Sequence, residues 1–268
     1  MKRRQKTPVT TGLIVICALV WLGVNFLPMG ELTEASRAIL FGAYYKILIC
    51  AGEWWRLLTV GFVHSSYWHL LMNMYSLHNL GRILEIRYGV LRYLTVLFVS
   101  VIGGSLFMFV MEGNTVGVGL SGGLYGLMAS MIITLVKNGS WKHPVLRAYL
   151  LQIITINLLI NFAPGIAYTA HLGGFLTGAL LTVILDRQES FTGVRIHGLI
   201  AGMILIGVLI WRIPQSTYIR KDERYLGTDS DILVFYRDHG LENYAMKLAK
   251  KIDSQYDTIY LEEILEDS

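Results

Sequence analysis

Charge is scarce in this sequence. Only 16% of its 268 residues are Asp, Glu, Lys or Arg, 54% are hydrophobic, and the mean hydropathy is +0.51. A soluble domain carries about 25% charged residues. The shortfall, together with several long uncharged runs, excludes a soluble globular enzyme, a disordered chain and a fibrous repeat. Cysteine is nearly absent. Cys17 and Cys50 form no disulfide framework and match no metal-ligand spacing, and Cys17 lies inside an apolar run, where it packs as an inert side chain. No internal repeat or low-complexity segment is present. There is no His-Glu-x-x-His helix, as a zinc protease of that kind would need. Nor are there paired Asp residues inside the apolar runs, as an aspartyl intramembrane enzyme would need. No metal and no cofactor is expected.

The cations are unevenly placed. Residues 1–211 hold 15 Lys and Arg against 7 Asp and Glu, whereas residues 212–268 hold 8 against 12. A pI near 9.0 could suggest nucleic acid. These cations, however, sit in short runs between apolar segments, as orientation signals do. The expected partner is therefore the lipid bilayer and not nucleic acid.

A helix crosses a bilayer with about 20 mostly apolar residues. Seven spans are read: Gly12–Leu27, Tyr67–Leu84, Leu91–Met111, Ser121–Val136, Val145–Phe162, Ile166–Leu185 and Ile196–Trp211. The first is not a cleaved signal peptide, because Phe26-Leu27-Pro28-Met29 is a poor small-residue cleavage site. With the amino terminus inside, twelve cations fall on short inner segments: Lys2, Arg3, Arg4, Lys6, Arg82, Arg87, Arg92, Lys137, Lys142, Arg147, Arg187 and Arg195. The outer loops carry three, Arg37, Lys46 and Arg56, all in the long first loop. The asymmetry predicts a multi-pass protein of the cell membrane with a cytoplasmic amino terminus.

The fold class expected is an all-α polytopic membrane protein. Residues 1–11 form a basic cytoplasmic segment, 12–185 a six-helix core, 196–211 an additional transmembrane helix, and 212–268 a polar helical tail. In the first outer loop, Glu31–Ile49 mixes polar residues with Leu32, Ile39, Leu40, Tyr44, Ile47 and Leu48, which suits a short helix lying at the interface. Glu53-Trp54-Trp55-Arg56 reads as aromatic anchors with one cation at headgroup depth. In the tail, Leu241, Tyr244, Ala245 and Leu248 recur at helical spacing over Asp238–Lys251. Seven spans put this tail outside. If Ile196–Trp211, only 16 residues long, does not cross, the tail is inside.

Polar groups at membrane depth are expensive and ask for a reason. Three places stand out, each near the outer start of an inward-going span. In the first, His69 and Asn73 are four residues apart and share a helix face. They can donate toward one point or simply join two helices. His64 and His78 lie near span edges and read as interfacial or structural. In the second, Gly117-Val118-Gly119-Leu120-Ser121-Gly122-Gly123-Leu124-Tyr125-Gly126 runs a Gly-rich stretch into a helix. Ser121 alone could be an N-cap. The helix start, however, also offers free N–H groups and a positive dipole end, where an oxyanion would be stabilised. In the third, His171 lies among Ala170, Gly174 and Gly178, a small-residue face that lets a helix approach closely. Gly122, Gly126 and Ser130 make the matching face. If the two faces pack, Ser121 and His171 come to one side at similar depth. Ser121–Val136 covers only about 24 Å, less than the core of about 30 Å, so Ser121 should start in a recess, with Gly113–Leu120 dipping in as a loop lined by protein.

A serine needs a base to take its proton, and the neutral imidazole of His171 can do so. A triad would add an acid. No Asp or Glu lies within spans two to six except Glu85, Glu112 and Asp186 at their edges. That leaves a Ser121–His171 dyad, with Tyr125 packing against the His171 ring. The oxyanion donors would be the Ser121 N–H, His69 and Asn73.

These residues, in this order and on one membrane side, resemble the rhomboid family of intramembrane serine proteases. The resemblance covers Gly12–Leu185. It rests on Trp55-Arg56, His69 with Asn73, Gly119-Leu120-Ser121-Gly122 with Tyr125, and Ala170-His171-Leu172-Gly173-Gly174 with Gly178. Glu85 and Arg87 after span two also match. It implies a catalytic Ser121–His171 pair, an oxyanion hole at His69 and Asn73, a six-helix rhomboid core, and cleavage of single-pass transmembrane proteins near the outer face. Leu120 stands where the family often has a small residue, which bears on the pocket but removes no catalytic group. Two rival readings are a catalytically inactive relative that binds membrane clients, which should lack Ser121 or His171, and a channel or transporter, whose polar residues would run through the membrane. The substrate and oligomeric state stay open.

Overall fold

The structure, a computed structural model, describes residues 6–161, 165–186, 192–217 and 223–266. Lys2, Arg3, Arg4, Phe162, Ala163 and Arg187, used above for sidedness and span ends, lie outside the described residues. The apolar runs are helical. α1 spans Pro8–Phe26, with proline in its first turn, where the missing N–H leaves no bond unmade. The first outer loop holds α2 (Glu34–Leu40), the two-residue strand β1 (Tyr44–Tyr45), α3 (Lys46–Ala51) and α4 (Arg56–Thr59). The second span is composite: α5 (Tyr67–Ser76) continues through a π-helical turn at Leu77–Gly81 into α6 (Arg82–Tyr88). Then come α7 (Val90–Met111), β2 (Val116–Gly117), α8 (Ser121–Lys137), α9 (Pro144–Ile160), α10 (Tyr168–Ile184) and α11 (Thr192–Ser216).

α11 is longer than the sequence suggested. It runs 25 residues and not 16, about 37 Å at 1.5 Å per residue, because Thr192–Arg195 and Arg212–Ser216 extend the apolar stretch in helical form. That length is enough to cross a bilayer.

The centre of the bundle is α7, α8 and α10, held together by glycine. A Cβ on Gly174 would stand 2.0 Å from Gly122 O, and one on Gly178 would stand 2.4 Å from the Gly126 backbone. One turn on, Thr182 Oγ1 donates to Ser130 Oγ at 2.6 Å. The two small-residue faces are thus in register from Gly122 to Ser130. On α7, a Cβ on Gly104 would meet Ala170 O at 2.6 Å. At the other end of the bundle, the Glu85 carboxylate accepts the α1 N–H groups of Val9 (3.1 Å) and Thr10 (2.8 Å). An acid here satisfies the free donors of a helix start and complements its dipole.

The first loop and the tail form a second core. The tail folds as α12 (Leu226–Tyr236), a turn with Gly240 at φ +82°, α13 (Glu242–Tyr256) and α14 (Tyr260–Glu266). Ala245, Leu248, Ala249 and Ile252 of α13 pack with Ile39, Tyr45, Ile47 and Leu48 of the loop. This corrects two readings. Most apolar residues of Glu31–Ile49 are covered by protein, since Ile39, Tyr44 and Ile47 are 0% exposed and Leu48 1%, while Leu32 and Leu40 are partly buried. Leu241 falls before α13 and is exposed, off the packed face.

Arg56 is likewise not a headgroup cation. It is 1% exposed, paired with Glu53, and donates to the carbonyl of Ala43 at 3.0 Å. The tail reaches this pair. Tyr244 OH donates to Glu53 Oε1 at 2.5 Å, and Arg56 Nη2 donates to Tyr236 OH at 3.5 Å. Tyr45 and Tyr256 each donate to the Asp229 carboxylate, at 2.6 and 2.9 Å. Trp54 and Trp55 remain half exposed, as anchors would be.

Candidate active site

Ser121 is the first residue of α8, and the chain leading to it is shaped by Gly119. That glycine has φ +113°, and a Cβ on it would stand 2.7 Å from the His69 ring. Only glycine lets the backbone adopt this turn and approach the imidazole so closely. The irregular stretch before α8 satisfies its backbone through protein, as non-helical chain at depth must. Val116 and Gly117 pair antiparallel with Tyr45 and Tyr44, and Gly119 N–H donates to Val60 O at 3.0 Å. Leu120 is fully buried against Gly61 in the main core and does not line the cleft. Its larger side chain therefore leaves the site itself untouched.

The glycine contact between α8 and α10 sets the next distance. With Gly174 resting on Gly122, His171 Nε2 lies 2.8 Å from Ser121 Oγ. The Tyr125 ring stacks on the His171 ring, with centroids 4.1 Å apart and planes 12° from parallel. His171 is 6% exposed and Tyr125 9%. Ser121, His171, Tyr125, His69 and Asn73 all line one cleft of about 590 Å³, with Val116, Gly117 and Val118 along its edge.

His69 and Asn73 face this cleft from α5. Ser66 caps α5 by accepting the His69 N–H at 3.2 Å. Ser65 Oγ lies 3.3 Å from His69 Nδ1. Asn73 Nδ2 donates to the His69 carbonyl at 2.9 Å, which occupies one of its two N–H groups. His64 is completely buried, its ring 5.2 Å from that of His69, so it belongs to the interior and not to the interface. His78 is exposed beside Arg82.

Sequence reasoning missed Asn161. Its Oδ1 lies 2.6 Å from His171 Nδ1, and among the described residues no acid bonds that ring. The signal was available: Asn157 and Asn161 are four residues apart at the end of α9, with Leu158, Leu159 and Ile160 between them. The remaining motif residues lie away from the cleft. Gly122, Gly174 and Gly178 set the helix contact, Glu85 caps α1, and Arg87 lies at the opposite end of the bundle beside Tyr88 and Arg92.

The Rhomboid domain family matches residues 51–188. The chain is 36% identical over 154 residues to RHOMBOID-like protein 5 of Arabidopsis thaliana, which covers 56% of this chain and 50% of that protein. It is 31% identical over 222 residues to Rhomboid protease AarA of Providencia stuartii, covering 72% and 79%. It is 35% identical over 152 residues to Inactive RHOMBOID-like protein 8 of Arabidopsis thaliana, covering 56% and 43%. The chain thus spans half or less of these plant relatives and most of the bacterial one.

Proposed function

The chain belongs to the rhomboid family of integral membrane proteins, and on that premise we propose that it is an intramembrane serine endopeptidase. The observation that carries this reading is the 2.8 Å contact between Ser121 Oγ and His171 Nε2. Ser121 Oγ attacks the scissile carbonyl while His171 takes its proton. His171 then protonates the leaving amine, and water activated by the same imidazole hydrolyses the acyl-enzyme. The oxyanion would be held by the Ser121 N–H at the positive end of α8, by His69 and by Asn73. Two contacts support those roles. Ser65 Oγ lies 3.3 Å from His69 Nδ1, and on this reading it donates there, which leaves the ring hydrogen on Nε2. Asn73, with one N–H on the His69 carbonyl, keeps a second to give.

The substrates on this reading are single-pass transmembrane proteins, cut near the outer face of the cell membrane. The site shares its end of the bundle with the first loop, whereas Arg87, Arg92 and Lys137 gather at the other end. That separation supports a cytoplasmic amino terminus. The test is to reconstitute the purified protein in liposomes with a panel of single-pass substrates, beside Ser121→Ala. Cleavage by the wild type alone is the expected result. Wild-type protein that inserts and folds but cuts nothing and takes no serine-directed label would assign it instead to the inactive, client-binding class.

A further inference from the structure

We propose that Asn161 is a positioning residue for His171, completing a Ser121–His171–Asn161 relay in which one backbone carbonyl fixes the direction of every proton. The inference rests on the protease reading above. It starts from Asn157 O, which can only accept. Tyr125 OH lies 2.9 Å from it and Asn161 Nδ2 lies 3.0 Å from it, so both donate to it. Tyr125 has then spent its hydrogen, and its oxygen accepts from Asn161 Nδ2 at 2.9 Å. The amide of Asn161 is thereby oriented, with Nδ2 toward Tyr125 and Asn157 and Oδ1 toward His171.

An amide oxygen 2.6 Å from His171 Nδ1 can only accept, so Nδ1 carries the ring hydrogen. Nε2 then has its lone pair free, and it faces the Ser121 hydroxyl. That is the tautomer a general base requires. Turning the amide over would put Nδ2 against Nδ1, move the hydrogen to Nε2 and leave Ser121 without a base. It would also set Asn161 Oδ1 against Asn157 O, two acceptors with no hydrogen between them. The stacked Tyr125 ring fixes the plane of the imidazole, and Asn161 fixes its rotation and tautomer. The relay joins three helices through α9, of which Leu151, Ile154, Ile156 and Leu159 are exposed and only its last turns reach the site.

The experiment measures the rate at which a fluorophosphonate labels Ser121, together with kcat and KM on a single-pass substrate, using the full chain in liposomes. Asn161→Ala should slow labelling and kcat about ten-fold, equivalent to about 1.4 kcal/mol, with KM nearly unchanged. Asn161→Asp should recover part of the loss, because an oxygen still stands opposite Nδ1 although its second oxygen can no longer donate to Asn157 O. Asn161→Gln, which keeps the amide but displaces it, should not recover it. If Asn161→Ala does not fold, the Asp and Gln variants carry the same comparison. Wild-type labelling in Asn161→Ala, or equal losses in Asp and Gln, would overturn the relay and leave Asn161 a tether between helices. A wild-type chain that takes no more label than Ser121→Ala would instead overturn the protease reading itself.

Discussion

Gly174→Ala tests whether the glycine contact sets the reactive distance. The new methyl would stand 2.0 Å from Gly122 O, 2.6 Å from its carbonyl carbon and 2.9 Å from its Cα. All three are backbone atoms, so no side chain can turn aside. Ordinary contact begins near 3.4 Å, so α8 and α10 must part locally by about 1.4 Å. Ser121 adjoins Gly122, and His171 lies one turn before Gly174. If that separation is transmitted, the 2.8 Å contact opens to about 4 Å, beyond the reach of about 3.2 Å that proton transfer allows. Overpacking of this kind costs about 1–3 kcal/mol of stability, and a displacement of about 1 Å at reacting atoms costs about 100-fold in rate. Thermal unfolding and substrate cleavage in liposomes should both register the change. Gly207→Ala is the control, since nothing lies within 4 Å of its Cβ position. Gly174→Ala with wild-type stability and wild-type turnover would refute the reasoning.

Three further outcomes are expected. Asn73→Ala should lower kcat more than it raises KM, by less than the roughly 2.7–4 kcal/mol that loss of one oxyanion donor can cost, because His69 and the Ser121 N–H remain; a raised KM with intact kcat would make Asn73 a ground-state contact. Burial pushes the Asp229 carboxyl up to about 6 from 3.8, despite hydrogen bonds from Tyr45 and Tyr256. Its folded value is raised, so its contribution is complete below the unfolded value and lost as pH rises through about 6; hydrogen exchange should show the tail more firmly docked at pH 5 than at pH 7.5, and an equal difference in Asp229→Asn would reject this. Ending the chain at Gln188 should lower the unfolding temperature, since it uncovers Ile39, Tyr45, Ile47 and Leu48, each worth about 1.5–3 kcal/mol when buried. Labelling of Ser121 per folded molecule should persist, and unchanged stability would show that the loop does not need its cover.

The helices and the proximity of the candidate residues were legible in the sequence because their signals are local or periodic. Apolar runs marked the spans to within a few residues, and the four-residue spacing of Gly122, Gly126 and Ser130 against Ala170, Gly174 and Gly178 anticipated which helices touch. The first loop was not legible. Its residues Ile39, Ile47 and Leu48 look interfacial until the tail covers them, and Asp229 meets Tyr45 across 184 positions. Arg56 was read as exposed because the carbonyls of Ile39 and Ala43 that hold it, unlike the nearby Glu53 carboxylate, become neighbours only in three dimensions. Asn161 escaped because a search for an acid beside His171 passes over an amide that can play the same accepting part.

The tail also bears on how often the chain crosses the membrane. Contact between the first loop and α12–α14 requires both to lie on one side, so an even number of crossings must separate them. α5 with α6, then α7, α8, α9 and α10, make five. A sixth would be needed for the tail to share the side of the first loop, and α11, with 25 residues and almost no buried surface, is long and apolar enough to supply it. The three cations of the first loop have partners of their own. Arg37 donates to the carbonyls of Val24 and Leu27, Lys46 to the carbonyl of Glu112, and Arg56 pairs with Glu53. All three are held by the fold. The cations of the first loop are thus accounted for by contacts within the fold.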